Sequence, residues 1–178
     1  MQPFSYPLLE IRRNRILCLL DVDNIAINTN PDSSDLPRAL DAITRYLSRI
    51  GRVVKACAFG PELTLASASD ALRLRSFILI QCPKVLVDKQ FGAQTEKKDT
   101  ADLEFIRVGT IDINEMSGLT HLALCSGDSQ FEQFVRWAES QGLKIIIVAG
   151  NRKSLSPKIA ELASRGSDGQ KMVYVLPP

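Results

Sequence analysis

The sequence predicts an α/β fold in which helices cover both faces of a mostly parallel central sheet. Apolar runs rich in β-branched residues recur along the 178 residues, and a stretch with helical spacing follows most of them. This alternation is typical of parallel sheets that are buried on both sides. The length favours one compact domain. We therefore expect a single domain over residues 15–178, after an N-terminal extension over residues 1–14.

The composition is that of an ordinary globular protein, with 45% hydrophobic and 24% charged residues. It excludes collagen-like, low-complexity and mostly disordered classes. The net charge of +2 is compatible with nucleic acid but does not indicate it. No apolar run approaches the roughly 20 residues that span a bilayer, and the first 15 residues lack the order of a signal peptide. The cysteines have no C-x-x-C spacing, so we expect buried, unpaired thiols and a cytoplasmic protein.

The first half of the chain predicts two strand–helix pairs. The apolar run Arg15–Asp21 (RILCLLD) is a buried strand that ends in carboxylates. A helix follows, with Ser34 or Asp35 as its N-cap and Gly51 after its end. The next predicted elements are a strand over Val53–Phe59 and a helix from Pro61 to about Leu79, whose end the sequence does not fix before Pro83.

The second half continues the alternation. A short third strand is predicted over Lys84–Asp88, and a polar loop over Gly92–Lys98. The remaining predicted elements are a helix over Thr100–Asn114, a strand over His121–Cys125, a helix over Ser129–Gln141, a strand over Lys144–Val148, a helix over Ser156–Arg165 and a strand over Met172–Leu176.

Acidic residues stand where chemistry is expected in such a sheet. The first strand ends in the sequence Asp21-Val22-Asp23-Asn24, and the fourth ends in Ser126-Gly127-Asp128-Ser129. Ligands bind outside the carboxyl ends of parallel strands, near the point where the strand order reverses. If these two strands are neighbours, Asp21 and Asp128 converge there. Asp99 and Asp102 open a helix and add a third acidic segment.

Converging carboxylates predict a cation. Two bare carboxylates about 4 Å apart repel by roughly 4 kcal/mol at an effective dielectric of 20. Magnesium and manganese prefer carboxylate and water oxygens, and the sequence has no His/Cys set for zinc. A bound divalent ion could activate water against a phosphodiester, with Asn24 holding Asp21 or a water in place.

Five segments together resemble the NYN domain, the LabA-like branch of the PIN-like ribonuclease superfamily. They are LDVDN, GRVVKACAFG, KKDTAD, CSGDSQF and GLKIIIVAG, and the resemblance spans about residues 15–176. It implies a three-layer α/β/α sandwich and a ribonuclease that depends on Mg²⁺ or Mn²⁺. It also implies that Asp21 is the first-strand metal ligand with Asn24 as its partner, and that Asp102 and Asp128 are the helix-borne and strand-four acids.

Two positions depart from the pattern of that family. Gln130 stands where the family usually has a second acid in SGDSDF, and Val108 stands where a further acid often follows the helix Asp. An amide oxygen can still ligate a cation, but one formal charge is lost and metal affinity should fall. Asp23, Asp99 and Gln130 are therefore further candidate ligands.

Small basic and polar clusters are candidate RNA contacts. Phosphate binding by lysine and arginine needs no sequence specificity. The candidates near the acidic segments are Lys97, Lys98, Ser126, Ser129, Arg152 and Lys153. No added RNA-recognition module is visible in the chain. The sequence therefore leaves open a homodimer or a protein partner as the source of specificity.

Each acidic segment also has a purely structural interpretation. Asp and Asn favour strand-end turns and helix caps, so Asp128 or Ser129 could simply cap the next helix. Three functions stay open: a ribonuclease, an NYN-like module that binds RNA or protein without turnover, and a haloacid dehalogenase-like phosphatase. In the phosphatase, Asp21 would be the nucleophile and Asp23 the general acid.

Overall fold

The computed structural model describes residues 13–29, 36–82, 84–87 and 96–177, and for residues 26–29, 84–87 and 96–99 it describes the backbone alone. The strands are β1 Arg15–Asp21, β2 Arg52–Gly60, β3 Ile78–Gln81, β4 Lys84–Val87, β5 Glu96–Asp99, β6 His121–Cys125, β7 Lys144–Ala149 and β8 Val173–Val175. The helices are α1 Val22–Thr29, α2 Leu36–Ile50, α3 Glu62–Arg73, α4 Ala101–Glu115, α5 Glu132–Ser140 and α6 Pro157–Leu162, with a 3₁₀ turn over Ser129–Phe131.

Six of the strands form one parallel sheet in the order β3-β2-β1-β6-β7-β8. The chain builds outward from β1 in one direction through β3, then returns to the other side of β1 with β6 and builds outward again. The strand order therefore reverses between β1 and β6, which is where open α/β sheets bind ligands. Strands β4 and β5 form a separate antiparallel pair.

Helices cover both faces of the sheet, which confirms the predicted three-layer sandwich. Side chains alternate along β1, so Ile16, Cys18 and Leu20 pack with α1, α2 and α3. Leu17 and Leu19 point the other way and pack with α4, α5 and α6. Because β1 is buried on both faces, it reads as a continuous apolar run rather than an alternating one.

Gly109 brings α4 close to the sheet. A Cβ atom at this position would lie 2.6 Å from the Phe134 ring and 2.8 Å from Leu19. Only a glycine allows this approach, because both contacts are well inside van der Waals distance. Helix α4 therefore packs directly against β1.

Three element predictions are wrong. The helix predicted to run to Leu79 ends at Arg73, and Ile78–Gln81 forms the edge strand β3 instead. The helix closes at Ser76, which takes the left-handed φ of 61°, while the Phe77 amide donates to the Leu72 carbonyl. This is a C-terminal cap without glycine, so the usual stop signal is missing from the sequence.

The other two corrections concern helix α1 and strands β4 and β5. Helix α1 begins directly after β1, where the sequence predicts no helix. The strand predicted over Lys84–Asp88 forms over Lys84–Val87, but it belongs to the small antiparallel pair rather than the main sheet. Its partner β5, Glu96–Asp99, overlaps the end of the predicted polar loop Gly92–Lys98. The predicted caps Ser34 and Asp35 lie outside the described residues.

The cysteine prediction is confirmed. The side chains of Cys18, Cys57, Cys82 and Cys125 are all buried thiols, and none of them forms a disulfide. No helix in the described part of the chain is long and apolar enough to cross a membrane. Residues 1–12 of the predicted N-terminal extension lie outside the described residues.

Candidate active site

Asp21 lies at the strand-order reversal. It is the last residue of β1, and the register that pairs Leu20 with Cys125 places it beside Ser126, the first residue after β6. Helix α1 begins at the next residue, so the chain turns away from the sheet at once. Asp21 and Ser126 therefore lie together at the carboxyl edge of the sheet, where the sequence predicts a site.

Hydrogen bonds fix both oxygens of the Asp21 carboxylate. Oδ1 accepts the backbone N–H of Asn24 at 3.1 Å, and Oδ2 accepts the hydroxyl of Ser126 at 3.3 Å. Ser126 is fully buried, so its hydroxyl orients Asp21 and cannot serve as the RNA contact that was predicted for it.

The pKa of Asp21 is raised from 3.8 to about 6, chiefly because burial desolvates its charge. The negative charges of Asp102 and Asp23 contribute to this rise, and the hydrogen bonds from Asn24 and Ser126 partly offset it. Desolvation and like charge thus outweigh two hydrogen bonds. At neutral pH the carboxylate is mostly ionised in surroundings that disfavour its charge, and a bound cation would relieve that cost.

Asn24 connects α1 to the loop after β6. Its side-chain oxygen accepts the Gly127 N–H at 3.2 Å. Gly127 is wedged against the loop after β7, because a Cβ there would lie 2.1 Å from the Ser154 carbonyl oxygen. The Ser156 N–H donates to the Gly127 carbonyl at 2.9 Å. Helix α1 and the loops after β6 and β7 are therefore held to one another at the site.

Asp128 has the capping role that its structural interpretation predicted. Its Oδ1 accepts the Gln130 backbone N–H at 3.0 Å, and its Oδ2 accepts the Gln130 side-chain amide at 3.2 Å. Its own N–H donates to the Ser126 hydroxyl at 3.3 Å. Asp128 is thus linked to Asp21 through Ser126, and Gln130 holds its carboxylate.

The remaining predicted acids fall into two groups. Half-buried Asp102 in α4 and Asp23 in α1 are close enough to raise the pKa of Asp21. The backbone of Asp99 ends β5, but its side chain lies outside the described residues, as do those of Lys97 and Lys98. The side chain of Val108 packs against the core.

The donor chemistry fits magnesium or manganese. Within residues 13–25, 36–82 and 100–177, no three His, Cys, Asp or Glu side chains form a group that could itself hold a metal ion. The expected cluster of Asp21, Asp102 and Asp128 is therefore not formed. Magnesium usually takes one or two carboxylates plus waters and substrate phosphates, so Asp21 with Asp102 is a sufficient protein contribution.

The loop after β7 presents two exposed cations at the same edge. Arg152 and Lys153 lie in a turn that Asn151 holds, because its side-chain oxygen accepts the N–H groups of Lys153 and Ser154 at 2.8 and 2.9 Å. Ser129 is also exposed. Asn151 was not predicted from the sequence, although a polar residue close after an apolar strand is a signal like the one that identifies Asp21.

The comparisons with known proteins agree with this architecture. The family profile of the NYN domain matches residues 15–165. A crystal structure of a protein of unknown function from Vibrio parahaemolyticus has the same fold, with a TM-score of 0.66 and 16% identity over 99% of this chain and 97% of that chain. No curated protein matches the sequence. The profile covers most of the chain, and the protein therefore belongs to the NYN domain family, which has a PIN-like, nuclease-type fold.

Proposed function

We propose that the protein is a metal-dependent ribonuclease that hydrolyses RNA phosphodiester bonds at the carboxyl edge of its sheet. The observation that carries the proposal is Asp21, a buried carboxylate at the strand-order reversal whose pKa is raised to about 6 beside Asp102 and Asp23. A perturbed carboxylate at that position is typical of a functional site. Membership in the NYN domain family supports nuclease chemistry there.

Asp21 and Asp102 would hold Mg²⁺ or Mn²⁺. When bound, the ion supplies a water of lowered pKa and positive charge for the phosphate oxygens. Asn24 and Ser126 keep Asp21 oriented, as the hydrogen bonds at 3.1 and 3.3 Å indicate. Asp128 would accept hydrogen bonds from waters beside the substrate. Asp23, Asp99 and Gln130 remain candidates for additional oxygen ligands.

RNA would run across the loops that surround this centre. Arg152 and Lys153 are exposed on the neighbouring loop, where they could neutralise backbone phosphates. We assign Lys97, Lys98 and Ser129 the same role. Such phosphate contacts make the affinity for RNA fall as the salt concentration rises, and they do not select an RNA sequence. Specificity could then come from a protein partner or from a second copy of the chain.

The test is cleavage of an end-labelled RNA of mixed structure by the full chain in Mg²⁺, Mn²⁺ or EDTA. We expect cutting with metal, none in EDTA, and a loss of at least about 100-fold in Asp21→Asn and Asp102→Asn. Asp70→Asn, an exposed carboxylate on α3, is the matched control. Equal cleavage by Asp21→Asn would refute the proposal, because a contaminating nuclease or another site would then do the cutting.

A second function is favoured by one specific contact. The side-chain amide of Gln130 holds Asp128 at 3.2 Å, where an acid would add a charge for a metal. This arrangement favours a module that binds RNA or protein and no longer cleaves. Binding of the same RNA in EDTA, with no cutting in any metal, would identify it. Turnover of a phosphate monoester in the absence of RNA cleavage would instead support the phosphatase.

A further inference from the structure

A second concave site lies at the opposite edge of the sheet. It encloses about 670 Å³, and its floor includes Asn14 just before β1 and the first residues of β6 and β7, His121 and Lys144. Strand β1 is seven residues long, so roughly 20 Å separates this cleft from Asp21. The cleft is therefore distinct from the proposed nuclease centre.

Positive charge dominates the lining of the cleft. It contains the cations Arg13, Arg49, Lys144 and Lys171 and one carboxylate, Asp168. Lys171 donates to the carbonyl of Glu161 at the end of α6. Within the described part of the chain, the other three cations have no carboxylate at ion-pair distance. Three unpaired cations around one cavity attract an anion.

Buried His121 adds no charge to this group. The pKa of His121 is lowered to about 4, chiefly by burial and in addition by the nearby ammonium of Lys144. The ring is therefore neutral at physiological pH, and its Nδ1 lies 2.8 Å from the Thr120 hydroxyl. The positive potential of the cleft comes from the arginines and lysines alone.

The walls of the cleft are preformed. On one side, the Asn14 side-chain amide donates to the Ile50 carbonyl at 2.8 Å, and the Arg52 N–H donates to the Asn14 carbonyl at 2.9 Å. On the other side, the Gly166 N–H donates to the Gln170 carbonyl at 2.8 Å inside a tight turn. Because the backbone of these walls is already ordered, a ligand would pay little conformational entropy to form the site.

One wall is aromatic and apolar. Tyr46 stacks on Tyr174 with ring centroids 4.5 Å apart and planes 11° apart, and Ile50, Met172 and Val173 line the same cavity. The volume lies in the range of small-molecule sites, about 300–1,000 Å³. A ligand that fits both walls combines a flat, weakly polar ring system with phosphate charge.

We propose that this cleft binds a nucleotide, with Arg13, Arg49 and Lys144 on its phosphates and its base against the Tyr46 wall. The ligand is either a free nucleotide or the terminal nucleotide of an RNA chain. Both present the same chemistry to the cleft.

The experiment is isothermal titration of the full chain in EDTA with ATP, AMP, adenosine, pyrophosphate and a 5′-phosphorylated tetraadenylate. We expect saturable binding of ATP that is tighter than that of adenosine or pyrophosphate. A tetraadenylate that binds more tightly than ATP, and loses that affinity in Arg49→Ala and Lys144→Ala, identifies an RNA end as the source; tighter binding of ATP identifies a free nucleotide. Arg49→Ala and Lys144→Ala should each weaken binding by about tenfold or more, since hydrogen bonds to charged groups contribute on that scale.

Two controls separate this site from general charge effects and from the nuclease centre. Arg45→Ala removes an exposed arginine of the same helix α2 that does not line the cleft, and its affinity should stay within about twofold of the unmodified chain. Asp21→Asn should also bind normally, whatever its effect on RNA cleavage. The proposal is overturned if no probe binds saturably, if pyrophosphate binds as tightly as ATP, or if Arg49→Ala and Lys144→Ala bind like Arg45→Ala.

Discussion

Replacing Asp21 with asparagine should make the protein more stable at neutral pH. Asparagine has nearly the same shape, its Oδ1 can accept the Asn24 N–H, and its amide can donate to the Ser126 hydroxyl. What disappears is a negative charge that burial, Asp102 and Asp23 all disfavour. A residue selected for folding alone would not be charged at this position, so the gain would mark Asp21 as a functional residue.

The magnitude and the pH window follow from the pKa of Asp21. The ordinary value is 3.8 and the folded value is about 6. Between these values the folded chain keeps a proton that the unfolded chain releases, so the free energy of unfolding falls as the pH rises through that window. The total loss is about 3 kcal/mol, at 1.36 kcal/mol per pKa unit. This loss of stability is nearly complete once the pH exceeds about 6. Asp21→Asn has no carboxylate at this position, so its stability does not change in this way.

Urea unfolding in EDTA at pH 4 and pH 7.5 measures this effect. The stability of Asp21→Asn relative to the unmodified chain should rise by about 2.5 kcal/mol between the two pH values, or about 5–10 °C in Tm for a chain of this size. Asp70→Asn, on the exposed face of α3, should change by less than about 0.5 kcal/mol. A relative stability of Asp21→Asn that is the same at both pH values would refute the electrostatic reasoning.

Three further predictions test other parts of the structure. Gly127→Ala should lower the free energy of unfolding in urea by about 1–3 kcal/mol, because its Cβ would lie 2.1 Å from the Ser154 carbonyl oxygen. An unchanged urea midpoint would contradict the close packing of the loops after β6 and β7. Lys55→Met should lower the free energy of unfolding by about 3–5 kcal/mol, because it leaves the buried carboxylate of Asp112, which the Lys55 ammonium contacts at 2.6 Å, without its cation. Adding Asp112→Asn should recover most of that loss in thermal unfolding. Gln130→Asp should lower the Mg²⁺ concentration needed for half-maximal RNA cleavage several-fold, and an unchanged metal titration would place position 130 away from the metal.

The sheet and the place of the site could be predicted because the sequence encodes them locally. An apolar run such as Arg15–Asp21 can only be a strand buried on both faces, and its abrupt change to carboxylates marks the sheet edge. Parallel topology then brings the ends of β1 and β6 together without any further information. The resemblance to the NYN domain points to the same strand-end residues.

The predictions of local structure that were wrong concern features that depend on tertiary contacts. Helix α1 is stabilised by Val22 and Ile25 packing into the core, which its weak eight-residue pattern does not show. The helix end at Ser76 uses a non-glycine residue in the left-handed region. Ser126 looked like a surface polar residue, but the approach of the neighbouring loops buries it.

Whether the acidic side chains meet depends on side-chain geometry, which the spacing of residues in the sequence does not determine. The sequence places Asp102 and Asp128 at the same edge, but only the structure shows that Asp128 is held by Gln130 while Asp102 influences Asp21. A strand-end carboxylate and a helix cap share one sequence signature. Their roles separate only when their hydrogen-bond partners are known.

The central claim is that Asp21 holds the cation on which RNA cleavage depends. The most direct test measures Mn²⁺ binding by electron paramagnetic resonance and RNA cleavage rate on the same samples, across a Mn²⁺ titration, for the unmodified chain and Asp21→Asn. The account predicts that the rate rises in step with one bound Mn²⁺, and that Asp21→Asn loses both. Mn²⁺ binding and cleavage that persist unchanged in Asp21→Asn would contradict it.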